Sequence, residues 1–135
     1  EAVIATIQRL GITGRCRICS QSYEGLQMAK QLEPDLVVGF IAGRAIGDLT
    51  QLDVDFLMVS GSLATTQLVA SAAARDMSVH AWTINNPDQL LPLVDRGIAN
   101  VITDDPTRLR TRLEEIRRLT PAERILLRVR NLIAD

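Results

Sequence analysis

The chain has 135 residues, of which 47% are hydrophobic, and a formal net charge of −1. This predicts one globular domain with enough apolar material for a core, and the balanced charge argues against nucleic-acid binding as the main task. No apolar run approaches the roughly 18 residues that span a bilayer. The chain opens at Glu1 without a signal peptide or a Met, inside a predicted helix, so we expect it to be a piece of a longer protein.

Helical and strand patterns alternate along the chain. Apolar residues at helical spacing predict helices, and short apolar runs bounded by turn residues predict strands. The predicted helices cover Ala2–Leu10, Glu24–Leu32, Thr65–Met77, Asn86–Gly97, Thr107–Leu119 and Thr120 to about Ile133. The predicted strands cover Arg15–Ser20, Leu36–Ala42, Val54–Val59, Val79–Ile84 and Ala99–Thr103.

Two helices carry further local signals. In the first, Val3, Ile4, Ile7 and Leu10 are spaced to share one buried face. The last begins with Thr120-Pro121-Ala122-Glu123, in which the Thr, the Pro and the Glu are placed as in a capping box. This sequence predicts a separate helix after the preceding one.

The alternation of helices and apolar strands indicates an α/β fold with a parallel sheet and right-handed crossovers. From this pattern alone, a flavodoxin-like five-stranded sheet is one interpretation. A complete (β/α)8 barrel is excluded, because such barrels usually need about 250 residues. Five strands of a barrel would leave two open edges, to be covered by the rest of a parent protein, by self-association or by rearrangement into an open sheet.

The segment Val79–Pro106 is the best candidate for a functional region. Its two predicted strands end in polar residues, first Asn85 and Asn86, then Asp104 and Asp105. Chemistry in α/β proteins takes place at the carboxyl ends of parallel strands. The two adjacent Asp residues could bind a metal or a substrate hydroxyl, but an N-cap of the following helix is the favoured interpretation.

Cys16 and Cys19 form a Cys-x-x-Cys sequence, which occurs in redox pairs and in zinc sites. Both lie in a predicted strand, where residues three apart face opposite sides, and only His80 could add a nitrogen ligand. We therefore favour two small buried hydrophobic residues.

His80 and Trp82 alternate along one strand, so their side chains point to the same side. A metal or acid–base role is one interpretation of the sole His, and a hydrogen-bonded interior residue is favoured over it. Trp82 is the only Trp among four aromatic residues. Core packing and a place in a ligand pocket are about equally supported for it by the residues alone.

Three segments closely resemble the glycerophosphodiester phosphodiesterase family. These are His-Ala-Trp-Thr-Ile-Asn-Asn-Pro from His80, Asp-Arg-Gly-Ile-Ala-Asn-Val-Ile-Thr-Asp-Asp-Pro at Asp95–Pro106, and the stretch from Ser20 to Phe40. The resemblance implies strands four to eight of a TIM (β/α)8 barrel, with residues 1–119 as a partial barrel domain and 120–135 as a basic amphipathic helix. Ala45-Ile46-Gly47-Asp48-Leu49 is similar to members that carry an N-terminal membrane domain.

The resemblance also implies an activity for the parent protein. It would be a hydrolase dependent on Ca2+ or Mg2+ that cleaves glycerophosphodiesters to glycerol 3-phosphate and an alcohol, in lipid and glycerol metabolism. In the family, the Trp that corresponds to Trp82 lines the pocket near the glycerol end of the substrate. Trp82 is therefore the expected substrate-binding residue.

The family's catalytic motifs do not correspond to any part of this chain. They are a His-Arg-Gly, a Glu-x-Asp, a His-Asp and a Glu-x-Lys, all in the first strands of the barrel. The chain has one His, and no Glu-x-Asp or Glu-x-Lys follows a predicted strand. We therefore expect no catalytic or metal-ligating residue in the isolated chain, no bound metal and no activity. A non-enzymatic binding or interaction module and a catalytically dead homologue are the alternatives.

The composition of the terminal segment leads to a hypothesis about where the parent protein is located. From Arg108 to Asp135 there are eight Arg and four acidic residues, with apolar residues between them. Arg124, Arg128 and Arg130 could meet anionic lipid headgroups, which would suit a membrane-associated parent, whereas a cytoplasmic parent needs no such contact. A helix that covers the barrel and leaves its basic side in solvent is the favoured interpretation.

Overall fold

The computed structural model describes residues 1–44 and 47–133, with side chains as far as Val129. Six α-helices lie in these ranges: α1 (Ala2–Leu10), α2 (Tyr23–Leu32), α3 (Thr66–Ala73), α4 (Leu90–Arg96), α5 (Pro106–Arg118) and α6 (Pro121–Ile133). The five strands are β1 (Arg17–Ser20), β2 (Val37–Ala42), β3 (Phe56–Ser60), β4 (Ser78–Trp82) and β5 (Asn100–Val101). Short 3-10 turns at Thr13–Arg15, Leu49–Gln51 and Pro87–Gln89 complete the chain path.

The strands form a single parallel sheet in the order β1-β2-β3-β4-β5. Each strand therefore pairs with the one that precedes it in sequence, as helical crossovers between neighbouring parallel strands require. The predicted α/β fold of parallel strands alternating with helices is confirmed. In this order β1 and β5 are the two edges of the sheet, and β5 contributes only two residues.

The main core lies between the sheet and the helices that cross over one of its faces. On this face β3 and β4 bury Leu57, Val59, Val79 and Ala81, all fully or almost fully. Leu26 of α2 and Ala72 of α3 belong to the same cluster, and both are completely buried. Because all five strands are parallel, the crossover helices can pack on one continuous apolar layer of the sheet.

The other face of the sheet is also apolar at its centre. The register pairs Gly39 with Phe56 and Met58 with His80, so these side chains share this second face. The ring of Phe56 lies directly over Gly39, where a Cβ atom would overlap with the ring. The absence of a side chain at this position is therefore what allows Phe56 to be buried.

The inward face predicted for α1 is partly wrong. Ile4 and Ile7 are buried, whereas Val3 and Leu10 are exposed. The buried stripe of this helix is narrow. Gln8 lies beside it and donates hydrogen bonds to the Leu32 carbonyl and to Glu33 at the end of α2. Val3 and Leu10 lie outside that stripe.

Strand β1 and helix α3 are shorter than the sequence predicts. The turn Thr13–Arg15 takes up the residues in front of β1, and the helix α3 ends at Ala73. Asp76 then adopts a left-handed backbone conformation with a φ of 57°, which a helix cannot contain. The predicted extension of α3 to Met77 is therefore wrong.

The capping box at the start of α6 is confirmed. The Thr120 backbone N–H and hydroxyl both donate to a carboxylate oxygen of Glu123, at 2.8 Å and 2.7 Å. The Glu123 backbone N–H in turn donates to the Thr120 hydroxyl at 3.4 Å. These bonds lower the pKa of the Glu123 carboxyl.

The solvated basic side expected for α6 is found in part, since Arg128 keeps half of its side chain in solvent while it also contacts the chain. Arg128 and Arg124 both form ion pairs with Asp95 at the end of α4, and Arg124 also donates to the Ile116 carbonyl. Ile125 and Leu126 are instead exposed, by 57% and 69%. The lipid contact considered for Arg130 falls outside the side chains that the structure describes. The segment compared with membrane-domain members includes Ala45 and Ile46, which lie outside the described residues.

No helix in the described ranges has both the length and the apolar character needed to span a bilayer.

Candidate functional site

The polar residues that follow the strands meet at the carboxyl edge of the sheet, because all five strands run in the same direction. Ser60 ends β3, and its hydroxyl donates to the carbonyl of Gly43, which follows β2, at 3.3 Å. The Ser60 and Ser62 hydroxyls are 3.1 Å apart. The hydroxyl of Ser20, at the end of β1, accepts from the backbone N–H of Ser22.

Trp82 is the last residue of β4 and pairs with Ser60 in the register of the sheet. Its ring lies close to Gly43, since a Cβ atom at that position would be 3.7 Å from the Trp82 Cη2. The indole Nε1 is buried and has no hydrogen-bond partner among the described residues. A buried N–H donor without a partner is uncommon, and it indicates a position where an acceptor can bind.

A second group of polar contacts joins the ends of β4 and β5. The Asn85 side-chain oxygen accepts from the Thr103 hydroxyl at 3.1 Å and from the Asp104 backbone N–H at 3.0 Å. The Asn85 amide nitrogen donates to Asp104 Oδ2 at 2.7 Å. The two strand ends singled out in the sequence are thus in direct contact, through Asn85 and Asp104.

Asp105 caps α5, as the sequence favoured. Its carboxylate accepts from the Arg108 backbone N–H at 3.0 Å, and Pro106 occupies the first turn of the helix. The Asp105 backbone N–H donates to the Thr103 hydroxyl. Asp104 and Asp105 therefore have different roles, since one contacts Asn85 and the other begins a helix.

His80 is an interior residue, as predicted, and is only 7% exposed. Its ring stacks on Phe56 with the centroids 4.7 Å apart, and its Nε2 lies 3.3 Å from the Ser78 hydroxyl. Burial lowers the pKa of His80, and the positive charge of Arg17 adds to this effect. The imidazole is therefore held neutral inside the sheet rather than presented at the carboxyl edge.

The two cysteines are not the buried residues that the sequence favoured. Cys16 is half-buried, Cys19 is exposed, and both are free thiols. Cys16 lies before β1, directly after the turn Thr13–Arg15, and Cys19 lies on β1 at the edge of the sheet.

The arrangement of carboxylates does not fit a divalent metal. Among the described residues, no group of three or more His, Cys, Asp or Glu side chains lies close enough to hold an ion. Asp104 is bonded to Asn85, and Asp105 caps a helix. A metal needs several oxygen ligands that converge on one point, and this edge does not supply them.

Two contributors to the edge were not identified from the sequence. Gly43 lies beside the Trp82 ring and accepts from the Ser60 hydroxyl, and the Thr103 hydroxyl links Asn85 to Asp105. Gly43 directly follows a continuous apolar strand, and its place at the carboxyl end of that strand is a signal that could have found it. The role of Thr103 depends on which residue faces it across two strand ends, so no local pattern indicates it.

The chain matches a family of known proteins over most of its length. The model of the glycerophosphoryl diester phosphodiesterase family matches residues 7–108, about three quarters of the chain. The comparison with curated proteins found no match to the chain.

Solved structures match the fold. A protein from Silicibacter pomeroyi, assigned as a glycerophosphoryl diester phosphodiesterase, has a TM-score of 0.78 and 23% identity, with 85% of this chain and 43% of that chain covered. A glycerophosphodiester phosphodiesterase from Parabacteroides distasonis has a TM-score of 0.75 and 18% identity, over 84% and 49% of the two chains.

A phosphodiesterase from Oleispira antarctica, solved in complex with the product sn-glycerol-3-phosphate, is 26% identical with a TM-score of 0.65, over 73% of this chain and 41% of that one. The chain thus spans less than half the length of these three solved structures. Its five-stranded parallel sheet corresponds to part of their TIM barrel.

Proposed function

Because the chain belongs to the glycerophosphoryl diester phosphodiesterase family, we propose that it forms the C-terminal part of a metal-dependent hydrolase. The parent enzyme cleaves glycerophosphodiesters to glycerol 3-phosphate and an alcohol. The observation that carries this proposal is Trp82, whose buried, unpaired indole N–H lies at the carboxyl edge of a sheet within the matched residues. The Oleispira antarctica structure, with its bound glycerol 3-phosphate, supports the choice of ligand.

In this proposal Trp82 binds the glycerol end of the substrate. A rigid ring packs against the carbon backbone of glycerol, while the Nε1–H donates to a hydroxyl or phosphate oxygen. This interaction positions the substrate and excludes water from one side of it. Ser60 and Asp104 lie at the ends of the two neighbouring strands and form the polar rim of the pocket.

The metal and the proton-transfer groups are proposed to come from outside the described residues. Hydrolysis of a phosphodiester needs positive charge at the phosphoryl oxygens and a proton for the leaving alkoxide, for which Ca2+ or Mg2+ and an acidic side chain are the usual sources. The one His is packed against Phe56, and the carboxylates of the edge do not converge. We therefore propose that the chain binds the product and does not hydrolyse the substrate.

The test is a titration of the purified chain with glycerol 3-phosphate, followed by the fluorescence of Trp82, the sole Trp. We expect a saturable change in emission, a weaker change with glycerol or with inorganic phosphate alone, and no hydrolysis of glycerophosphocholine with added Ca2+ or Mg2+. Trp82→Phe, examined by calorimetry, should bind at least several-fold more weakly, because it keeps the ring but loses the N–H donor. Turnover by the chain would contradict its proposed inactivity, and an absence of binding would contradict the role of Trp82.

We further propose that the open edges at β1 and β5 are covered in the parent protein, or by self-association of the isolated chain. Unpaired parallel edge strands offer backbone groups to any available chain. A solution mass that increases with concentration would support self-association, and a monomer at all concentrations would contradict it.

Membrane association of the parent, through an N-terminal membrane domain, is also a proposal. The exposed apolar side of α6, with Ile125, Leu126 and Val129, offers a surface compatible with it. Liposome flotation of the chain, compared with a Leu126→Ser variant, tests the contribution of α6. Equal flotation of the two would contradict that contribution.

A further inference from the structure

The carboxyl end of β4 is connected to β5 by very little regular pairing. The register contains only two residue pairs, His80 with Asn100 and Ala81 with Val101. Beyond these pairs, the Ile102 N–H donates to the Ala81 carbonyl at 2.8 Å, and the Ile84 N–H donates to the Ile102 carbonyl at 2.9 Å, after which the strands separate. By contrast, β3 and β4 share five residue pairs. The segment that follows Trp82 therefore lacks a continuous ladder on the β5 side.

Asn85 extends this connection beyond Ile84 with both polar atoms of its side-chain amide. The oxygen accepts from the Thr103 hydroxyl and the Asp104 N–H, and the nitrogen donates to the Asp104 carboxylate at 2.7 Å. This set of bonds needs an acceptor and a donor on one short planar group, which among short side chains only Asn provides. The bond to the carboxylate is charge-assisted and therefore among the stronger ones at this edge.

Two pocket groups depend on this connection. Trp82 lies three residues before Asn85, and its own indole N–H contributes no bond that would hold it in place. On the β3 side, the Gly61 N–H donates to the Trp82 carbonyl at 3.2 Å, next to the register pair of Ser60 with Trp82. The Asp104 carboxylate, in turn, has Oδ2 directed to Asn85.

We infer that Asn85 is a positioning residue, which holds the Trp82 segment and the Asp104 carboxylate in the arrangement that receives the glycerol moiety. The inference rests on the proposed function for the identity of the ligand. Asn85 acts through Trp82 and Asp104, and the substrate contacts those two side chains. Removal of its amide donor should displace Trp82 while the helix-covered core of the sheet stays intact.

The test exchanges the donor and acceptor across the pair. Asn85→Asp replaces the donating nitrogen by an oxygen, so two carboxylates face each other at the Asp104 Oδ2 position. In the double variant, which adds Asp104→Asn, the amide at position 104 donates and the carboxylate at position 85 accepts. One donor then faces one acceptor again, in reversed order. Asn86→Asp is the matched control, because Asn86 caps the next turn through its side-chain oxygen, which Asp also provides.

Two readouts separate positioning from folding. Acrylamide quenching of Trp82 fluorescence reports the position of the ring without any ligand, and circular dichroism reports the fold. We expect Asn85→Asp to raise the quenching constant about twofold at pH 7.5 and to weaken glycerol 3-phosphate binding about tenfold, with an unchanged helix signal. The double variant should return to the wild-type quenching constant, and Asn86→Asp should match the wild type in both measurements.

The pH dependence of quenching gives a further signature. Two facing carboxylates share a proton as the pH falls, which restores a hydrogen bond between them. The quenching of Asn85→Asp should therefore return toward the wild-type value near pH 5, while that of the wild type and of Asn86→Asp stays constant.

Several results would overturn the inference. The first is a quenching constant of Asn85→Asp equal to that of the wild type. The second is a double variant whose quenching constant stays raised, and the third is an increase in Asn86→Asp as large as that in Asn85→Asp. If Asn85→Asp does not fold, the double variant decides. A folded double variant with the wild-type quenching constant supports the inference, and a folded double variant with a different quenching constant overturns it. A wild-type chain that does not bind glycerol 3-phosphate would overturn the proposed ligand, while the quenching series still decides the positioning role.

Discussion

The centre of the sheet and its β4–β5 edge are held together by different interactions. Between β2, β3 and β4, long strand ladders and fully buried aliphatic side chains such as Leu57 and Val59 define the structure. At the β4–β5 edge the ladder has two residue pairs, and hydrogen bonds between polar side chains replace the rest. The first region therefore supplies stability, and the second supplies geometry at the proposed pocket.

The two sides of this comparison meet on β4. His80 and Trp82 are two residues apart on the same face, yet the environment of each is different. His80 is enclosed by Phe56 and bonded to Ser78. Trp82, at the carboxyl end, has a buried donor without a partner. The same face of one strand thus changes from filled core to a position with an unpaired donor within one step of the strand repeat.

The largest expected effect is in the centre of the sheet. Leu57→Ala removes a side chain with 0% exposure and should lower the free energy of unfolding by about 2–5 kcal/mol, because the surrounding strands cannot close the cavity. Urea denaturation followed by circular dichroism measures this. Leu126→Ala, at a position with 69% exposure, is the control and should change stability by less than about 0.5 kcal/mol. Similar losses in the two variants would show that the packing described for β3 is wrong.

A smaller effect is expected at the β4–β5 edge. Asp105→Ala removes the N-cap of α5 and should cost about 1 kcal/mol of unfolding free energy, whereas Asp105→Asn keeps an acceptor for the Arg108 N–H and should cost much less. The same urea titration measures both variants. Equal losses in Ala and Asn would mean that the charge of Asp105, rather than its hydrogen bond, stabilises the helix.

The same division explains what the sequence could predict. The alternating strands and helices, the parallel sheet and the capping box of α6 follow from local patterns, because helical spacing, apolar runs and capping residues are read within a few positions. The ion pairs between α6 and Asp95 could not be predicted in this way, since they join residues that are far apart in the sequence. For that reason the basic side of α6 was assigned to solvent.

Within the site, the sequence identified single residues better than their contacts. Asn85 and Asp104 are predicted at strand ends, whereas Trp82 is predicted in mid-strand and ends β4 in the structure. The sequence favours a helix cap for the Asp104-Asp105 pair, and the structure shows that Asp105 is the cap. The contact between Asn85 and Asp104, by contrast, depends on how far β4 and β5 diverge after two residue pairs, and that distance is a property of the folded sheet.

The smallest effect concerns His80, and its sign follows from burial. Burial, with a contribution from Arg17, lowers the pKa of His80 in the folded state below its ordinary value of 6.5. Between these two values the unfolded chain binds more protons than the folded one, so stability falls as the pH drops below about 6.5. His80→Gln removes this titration, and its unfolding free energy should decrease less than that of the wild type between pH 7.5 and pH 5.

Other groups that titrate in both proteins cancel in this difference, which therefore isolates His80. Parallel pH profiles of the two proteins would mean that the imidazole is protonated equally in the folded and unfolded states, and hence that it is not enclosed. In that case His80 would be open like Trp82, and the division of β4 into a filled and an unsatisfied part would be wrong. A convergence of the two profiles at low pH would instead locate the boundary between core and pocket between residues 80 and 82.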